Sequence, residues 1–114
     1  MLYKLMLPVV GLITLMSSFN LNGAKIKNVD IPDKCKIIVV KNDETKPEFD
    51  MPAIGKESEA DLSNRKRIVV QCETYKGEGQ ATAVCDVPVG ELIEILTIRN
   101  VVDQYGDYPG CKAN

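Results

Sequence analysis

Four cysteines constrain the fold of this 114-residue chain more than any other feature. They are Cys35, Cys72, Cys85 and Cys111, and an even set of this kind in a small exported domain is typical of paired disulfides. Zinc sites usually pair ligands that lie two to four residues apart, whereas no two cysteines here are that close and the chain has no histidine. We therefore expect two disulfides, no metal site and no other cofactor.

The first 24 residues have the layout of a secretory signal peptide. Lys4 supplies a positive charge, residues 5–16 form an uncharged apolar run, and a short polar stretch leads to Ala24. The apolar run is too short for a membrane-spanning helix, which needs about 20 residues. We predict cleavage after Ala24, which gives a signal peptide at 1–24 and one secreted domain at 25–114. A buried N-terminal helix or a membrane anchor is the alternative.

The pairing of the four cysteines is open among three connectivities. Cys35 begins one apolar run, while Cys72 and Cys85 each end one, so these three cysteines are expected at strand ends. Cys111 is expected in a terminal loop. This arrangement favours Cys35–Cys72 with Cys85–Cys111, and the nested pairing of Cys35–Cys111 with Cys72–Cys85 is the alternative. Each bond would stabilise the domain by about 3–4 kcal/mol in the chain-entropy model.

Short β-branched runs separated by turns predict an all-β fold. The clearest strands are residues 35–40, 65–72 and 81–87, with weaker ones at 49–54, 91–98 and 101–102. Residues 91–98 also fit a helix, and their isoleucine and threonine content favours a strand. Residues 25–34 are predicted as a polar entry, 41–48 as a charged turn, 75–80 as a hairpin turn and 104–111 as a loop. Residues 55–64 could form one helical turn, but a loop or the edge of a meander is favoured. The result is a small antiparallel β-sandwich of five to six short strands.

The absence of histidine excludes the catalytic mechanisms that depend on an imidazole. The chain cannot form a Ser-His or Cys-His catalytic pair, and it has no imidazole to act as a general base. The sequence also contains no nucleophile elbow, phosphate-binding loop or dinucleotide-binding motif. A pair of carboxylates could still act as in a glycosidase, but nothing in the sequence holds two of them at the required distance. The candidates by residue type are Glu57, Glu59, Asp61, Glu91 and Glu94. We predict that the protein is not an enzyme.

The formal charge argues against nucleic acid and membrane partners. Removal of Lys4 with the signal peptide changes the net charge from −2 to −3, and no basic face or polybasic segment remains. We therefore expect a monomer that binds a protein, with no nucleic acid and no membrane among its partners.

Two segments are candidates for contact with a partner. Arg65, Lys66 and Arg67 form the densest charge cluster, which could meet an acidic partner, be cut by a dibasic-specific protease, or guard a strand against edge pairing. Tyr105 and Tyr108 lie in a segment rich in glycine and proline, and tyrosine is enriched in binding hot spots. These two rings could instead cover a thin core beside Cys111.

The cysteine and strand pattern resembles the MAX effectors, the avirulence and ToxB-like proteins that plant-pathogenic fungi secrete. The similarity covers residues 33–110 and rests on Cys35 opening the β-branched strand CKIIVV, a charged turn, Cys72 at a later strand end, and a late YGDYP segment. Cys85 and Cys111 go beyond the minimal family pattern. The resemblance implies a disulfide at Cys35–Cys72 and a sandwich of two three-stranded sheets. It also implies a non-enzymatic virulence role.

The function that follows from these features is protein binding outside the cell. The resemblance indicates a plant-pathogen effector that engages a host protein or an immune-receptor domain. The alternative is a secreted inhibitor or toxin-like protein that presents a loop, residues 41–48 or 55–64, to an enzyme or receptor.

Overall fold

A computed structural model describes residues 23–88 and 90–113, which form eight strands and no helix. The strands are β1 (Gly23–Asn28), β2 (Cys35–Lys41), β3 (Glu48–Asp50), β4 (Glu57–Asp61), β5 (Arg65–Cys72), β6 (Ala81–Val84), β7 (Ile95–Asp103) and β8 (Gly106–Ala113). The predicted all-β class is confirmed, with eight strands in place of five or six. No helix in the two described ranges is long and apolar enough to cross a membrane.

The strands form two four-stranded sheets, ordered β4-β1-β7-β8 and β3-β2-β5-β6. Every neighbouring pair is antiparallel except β1 and β7, which run parallel. A parallel pair needs a crossover connection, and the whole second sheet lies in the chain between β1 and β7. The sandwich is antiparallel, as predicted, at every pair but this one, and its four-stranded sheets differ from the two three-stranded sheets that the family resemblance implies.

The hydrophobic core lies between the two sheets because alternate side chains of each strand point inward. β1, β2 and β5 each show this alternation of buried and more exposed positions. Completely buried aliphatic side chains come from both sheets: Ile26, Leu96 and Ile98 from the first, and Ile37, Val39, Ile68 and Val70 from the second. Full burial of such a side chain stabilises a fold by about 1.5–3 kcal/mol.

The predicted pairing of the cysteines is confirmed, and the two bonds occupy different places in the sandwich. Cys35 and Cys72 are register partners on adjacent strands of the second sheet. Cys85 follows β6 of the second sheet, whereas Cys111 lies on β8 of the first, so their bond joins the two sheets. Beside it, the Asp86 N–H donates to the Cys111 carbonyl (2.8 Å) and the Ala113 N–H donates to the Asp86 carbonyl (3.2 Å).

Several segments predicted as loops contain strands. Residues 25–34 include most of β1, residues 55–64 include β4 at a sheet edge, and residues 104–111 include most of β8. Of the two loops considered for an inhibitor, only the β2–β3 connection therefore remains an exposed turn. The strand predicted at 91–98 begins only at Ile95 and continues to Asp103, thereby absorbing the short strand predicted at 101–102.

The start of β1 bears on the predicted cleavage site. Most of the predicted signal peptide, residues 1–22, lies outside the described residues. Ala24 is 5 % exposed and pairs with Ala60 of β4, so the predicted cut after Ala24 falls within a strand.

Candidate binding surface

The β7–β8 hairpin extends beyond the strand that supports it. The register between β1 and β7 ends at Asn28 and Ile98, whereas β7 and β8 stay paired as far as Asp103 and Gly106. We call residues 101–108, the outer part of this hairpin, the arm. It carries both tyrosines that the sequence had marked as candidates.

The arm closes with a two-residue turn formed by Gln104 and Tyr105. The Asp103 carboxylate accepts a hydrogen bond from the Tyr105 N–H (2.7 Å), the local bond by which aspartate favours turns. Gly106 follows with a φ of +119°, a conformation that side chains other than glycine rarely adopt. The turn therefore holds Tyr105 at the tip of the hairpin.

Apolar side chains are unusually exposed along the arm. Tyr105 is 88 % exposed, Val102 67 % and Tyr108 40 %. Tyr108 pairs with Val101 across the two strands, while Val102 faces Asp107 on the opposite side of the hairpin. Tyr105 therefore does not cover the core, and the arm presents apolar surface on both faces and at its tip.

A network of polar side chains fixes the base of the arm. The Tyr75 hydroxyl donates to Asn100 Oδ1 (2.5 Å), and the Asn100 amide Nδ2 donates to Asp107 Oδ2 (3.3 Å). Lys76 Nζ contacts the same Asp107 oxygen at 3.1 Å, and the Asn100 N–H donates to Asp30 Oδ1 (2.8 Å). The hydrogen bond from Lys76 is the main reason that the pKa of Asp107 is lowered, and the bond from Asn100 adds to it. The arm is thus tied to the β1–β2 and β5–β6 connections.

Tyr75 is the buried member of this network. Its side chain is 4 % exposed, and burial, together with the negative charges of Asp30, Asp33 and Asp107, raises its pKa to about 12. The folded protein therefore favours the neutral phenol. The pKa of Tyr75 in the folded protein lies above the ordinary value of 10, so the neutral phenol stabilises the folded state relative to the unfolded state. This stabilisation is fully present below pH 10 and is lost as the pH rises towards 12.

We expect Tyr75→Phe to separate the two roles of this hydroxyl. At neutral pH the variant should lose about 1 kcal/mol of unfolding free energy, because the bond to Asn100 disappears. Between pH 10 and pH 12 the wild-type protein should lose stability more steeply than the variant, since only its Tyr75 can ionise. Urea unfolding across this pH range measures both effects, and parallel pH dependences of the two proteins would contradict the assignment.

The basic cluster takes up a different position. Arg65 donates to the carbonyls of Leu62 (3.3 Å), Pro88 (2.5 Å) and Glu91 (2.8 Å), so its guanidinium joins two connections of the fold. Lys66 Nζ lies 2.5 Å from the Glu44 carboxylate, and Arg67 is exposed. β6 pairs with β5 only from Val69 onward, so the cluster occupies the part of β5 beyond the end of β6.

The two predicted contact segments lie at opposite ends of the sandwich. β5 runs from Arg65 to Cys72, a span of about 23 Å for an eight-residue strand, and the contacts of Tyr75 and Lys76 with the arm follow directly after its last residue. A single small contact patch cannot include both segments. Three of the six large apolar side chains that are exposed in the described residues lie on the arm, whereas Arg65 and Lys66 are occupied by contacts within the protein.

Sequence reasoning missed the remaining parts of this surface. Val102 had been assigned to a short strand, and Asp30, Lys76 and Asn100 had no predicted role. The sequence did contain a signal for the hairpin. Asp103 and Gly106 flank a two-residue segment, and β-branched and aromatic residues lie on either side of it, a pattern that favours a hairpin turn. Within the described ranges, no group of three or more acidic or cysteine residues is arranged to hold a metal ion.

Comparison with known proteins adds no family assignment: no protein-family model, no curated protein and no solved structure matches this chain.

Proposed function

We propose that this chain is a secreted, non-enzymatic protein that acts by binding another protein through the arm. The observation that carries the proposal is the exposure of Tyr105, Val102 and Tyr108 on a hairpin anchored at its base. Exposed aromatic side chains on a rigid support lose little conformational freedom on binding, which is why tyrosine is common in binding hot spots. The total lack of histidine in the chain supports a role without catalysis.

Secretion is the second part of the proposal. The two disulfides are compatible with an extracellular protein, because such bonds persist in oxidising compartments. The charge, apolar run and small residues of the N-terminal segment support an export signal. The part of the MAX-effector resemblance that the fold retains, an all-β sandwich with a Cys35–Cys72 disulfide, supports a role as a plant-pathogen effector, with a host protein or immune-receptor domain as the partner.

We expect the double variant Tyr105→Ala/Tyr108→Ala to lose at least about tenfold in affinity for its partner, because truncation of hot-spot tyrosines costs about 2 kcal/mol or more. The measurement is quantitative affinity capture from plant cell extract with immobilised oxidised protein, followed by mass spectrometry. Proteins retained by the wild type and depleted with the arm variant are the predicted partners.

The matched control is Val84→Ala/Leu92→Ala, which removes two exposed apolar side chains outside the arm and its neighbouring connections (63 % and 72 % exposed). It should retain the same partners as the wild type. If the arm variant and the control capture the same proteins in the same amounts, the arm is not the binding surface and the proposal is wrong.

A further inference from the structure

The arm and the loops around it together carry the net negative charge of the described chain. We call the arm together with residues 29–34, 51–56 and 73–80 the arm end. These connections meet there because Met51 N–H donates to the Cys35 carbonyl and Lys76 contacts Asp107 of the arm. The arm end holds three lysines and six carboxylates: Asp30, Asp33, Glu73, Glu78, Asp103 and Asp107. The rest of residues 23–113 has ten basic and ten acidic side chains, so its charges balance.

A groove of about 470 Å³ lies beside the arm and continues this acidic surface. The charged side chains that line it are Asp33, Lys34, Lys36, Glu48, Asp50 and Glu73. Lys36 is paired with Glu48 (3.3 Å), whereas no ion pair within the described residues involves Asp50 or Glu73. Carboxylates without a cation of their own remain available to a positive group on a partner.

Lys76 links the groove to the arm. Its backbone N–H donates to Asp33 Oδ2 (3.2 Å) on the groove wall, and its ammonium lies 3.1 Å from Asp107 Oδ2 on the arm. The groove wall and Asp107, which shares one face of the arm with Val102, are therefore separated by the length of one lysine side chain. One partner segment can reach both.

We propose that the arm end binds a basic segment of a partner protein, in which lysine or arginine side chains face the groove and its flanking carboxylates while an apolar side chain packs on Tyr105 at the tip and on Val102, which shares the Asp107 face of the arm. This inference rests on the proposed function and names the chemistry of the partner. Opposite charge on the two surfaces accelerates association and excludes acidic competitors. Lysine and arginine also pack favourably on the faces of tyrosine rings.

The test selects peptides without assuming a natural partner. A phage-displayed library of random dodecapeptides is panned on the oxidised protein secreted from cells that express the full chain. Enriched peptides are then measured by fluorescence anisotropy against the wild type and three variants. The first is Tyr105→Ala, the second is Glu73→Lys/Glu78→Lys at the arm end, and the third is Glu59→Lys/Glu94→Lys, which makes the same change in net charge outside it.

We expect the enriched peptides to carry several lysine or arginine residues and at least one apolar residue. Their affinity should fall at least about tenfold in Tyr105→Ala and in the arm-end charge reversal, and about twofold or less in the control reversal. It should also fall as salt is added, since salt screens the attraction.

The two ways in which this can fail are distinct. Peptides that depend on Tyr105 but are neutral or acidic, or that bind both charge reversals equally, would overturn the basic partner and leave the arm as the binding surface. Peptides that bind Tyr105→Ala as well as the wild type would contradict the arm itself, and with it the proposed function.

Discussion

Replacing both cysteines of either disulfide with alanine is expected to lower the free energy of unfolding by about 3.5–4 kcal/mol. The bonds span sequence separations of 37 residues for Cys35–Cys72 and 26 for Cys85–Cys111, and removing either releases that loop in the unfolded chain. A domain of this size has a total stability of about 5–13 kcal/mol, so one bond is a large share of it. Loss of both bonds should leave the protein largely unfolded.

Urea unfolding of the two double variants measures this loss, and hydrogen exchange separates their roles. Loss of Cys85–Cys111 should speed exchange of the Asp86 and Ala113 amides, because their hydrogen bonds lie where the bond joins the two sheets. Loss of Cys35–Cys72 should leave these amides protected, since that bond lies within the second sheet. A loss of less than about 1 kcal/mol in both variants would show that the chain-entropy estimate does not apply here.

Asn28→Ala is expected to cost about 2–4 kcal/mol, although it removes only a short polar side chain. Asn28 is 1 % exposed and lies at the end of β1. Its Nδ2 donates to the carbonyls of Ile31 (2.7 Å) and Pro52 (2.9 Å), and its Oδ1 accepts from the Ile31 N–H (2.9 Å). Truncation leaves these backbone groups without a hydrogen-bond partner in a place where water has little access. A buried polar group without a partner lowers the free energy of unfolding more than the loss of an exposed hydrogen bond does.

The control for this variant is Asn42→Ala, which removes the same amide from an exposed position in the β2–β3 turn. It should change the unfolding free energy by about 0.5 kcal/mol or less. Thermal and urea unfolding of both variants give the comparison. If Asn28→Ala proves as mild as the control, the buried amide does not hold the β1–β2 and β3–β4 connections together.

The elements predicted best are those whose signal is local. β5 was predicted with its observed bounds, and β2 within one residue, because each is a β-branched run beside a cysteine. The observed pairing of Cys35–Cys72 and Cys85–Cys111 was favoured over the nested alternative by the position of three cysteines at strand ends. The tyrosine segment was also singled out from residue type, although its placement on a projecting hairpin was not.

The missed strands have weak local signals and depend on distant partners. β1 is short, carries Lys25 and Lys27, and becomes a strand by pairing with β4 and β7 far along the chain. β8 contains Pro109, which normally argues against a strand. The Cys111 carbonyl and the Ala113 N–H both bond to the Asp86 backbone, so the backbone N–H and C=O groups of odd-numbered β8 residues point away from β7. Pro109 lies in the same alternation, and its missing N–H therefore removes no hydrogen bond between β7 and β8.

The sequence by itself determined the all-β class, the presence of two disulfides, the absence of imidazole chemistry and the two segments worth testing. Each of these depends on residue types and on the alternation of apolar and polar residues over a few positions, and both can be read directly from the sequence. Only the tertiary structure decided that Arg65 and Lys66 are occupied at one end while the tyrosines project at the other. It also brought Asp30, Tyr75, Lys76 and Asp107 together at the base of the arm. Contacts between connections far apart in the chain arise only when the sheets pack, and no local pattern encodes them.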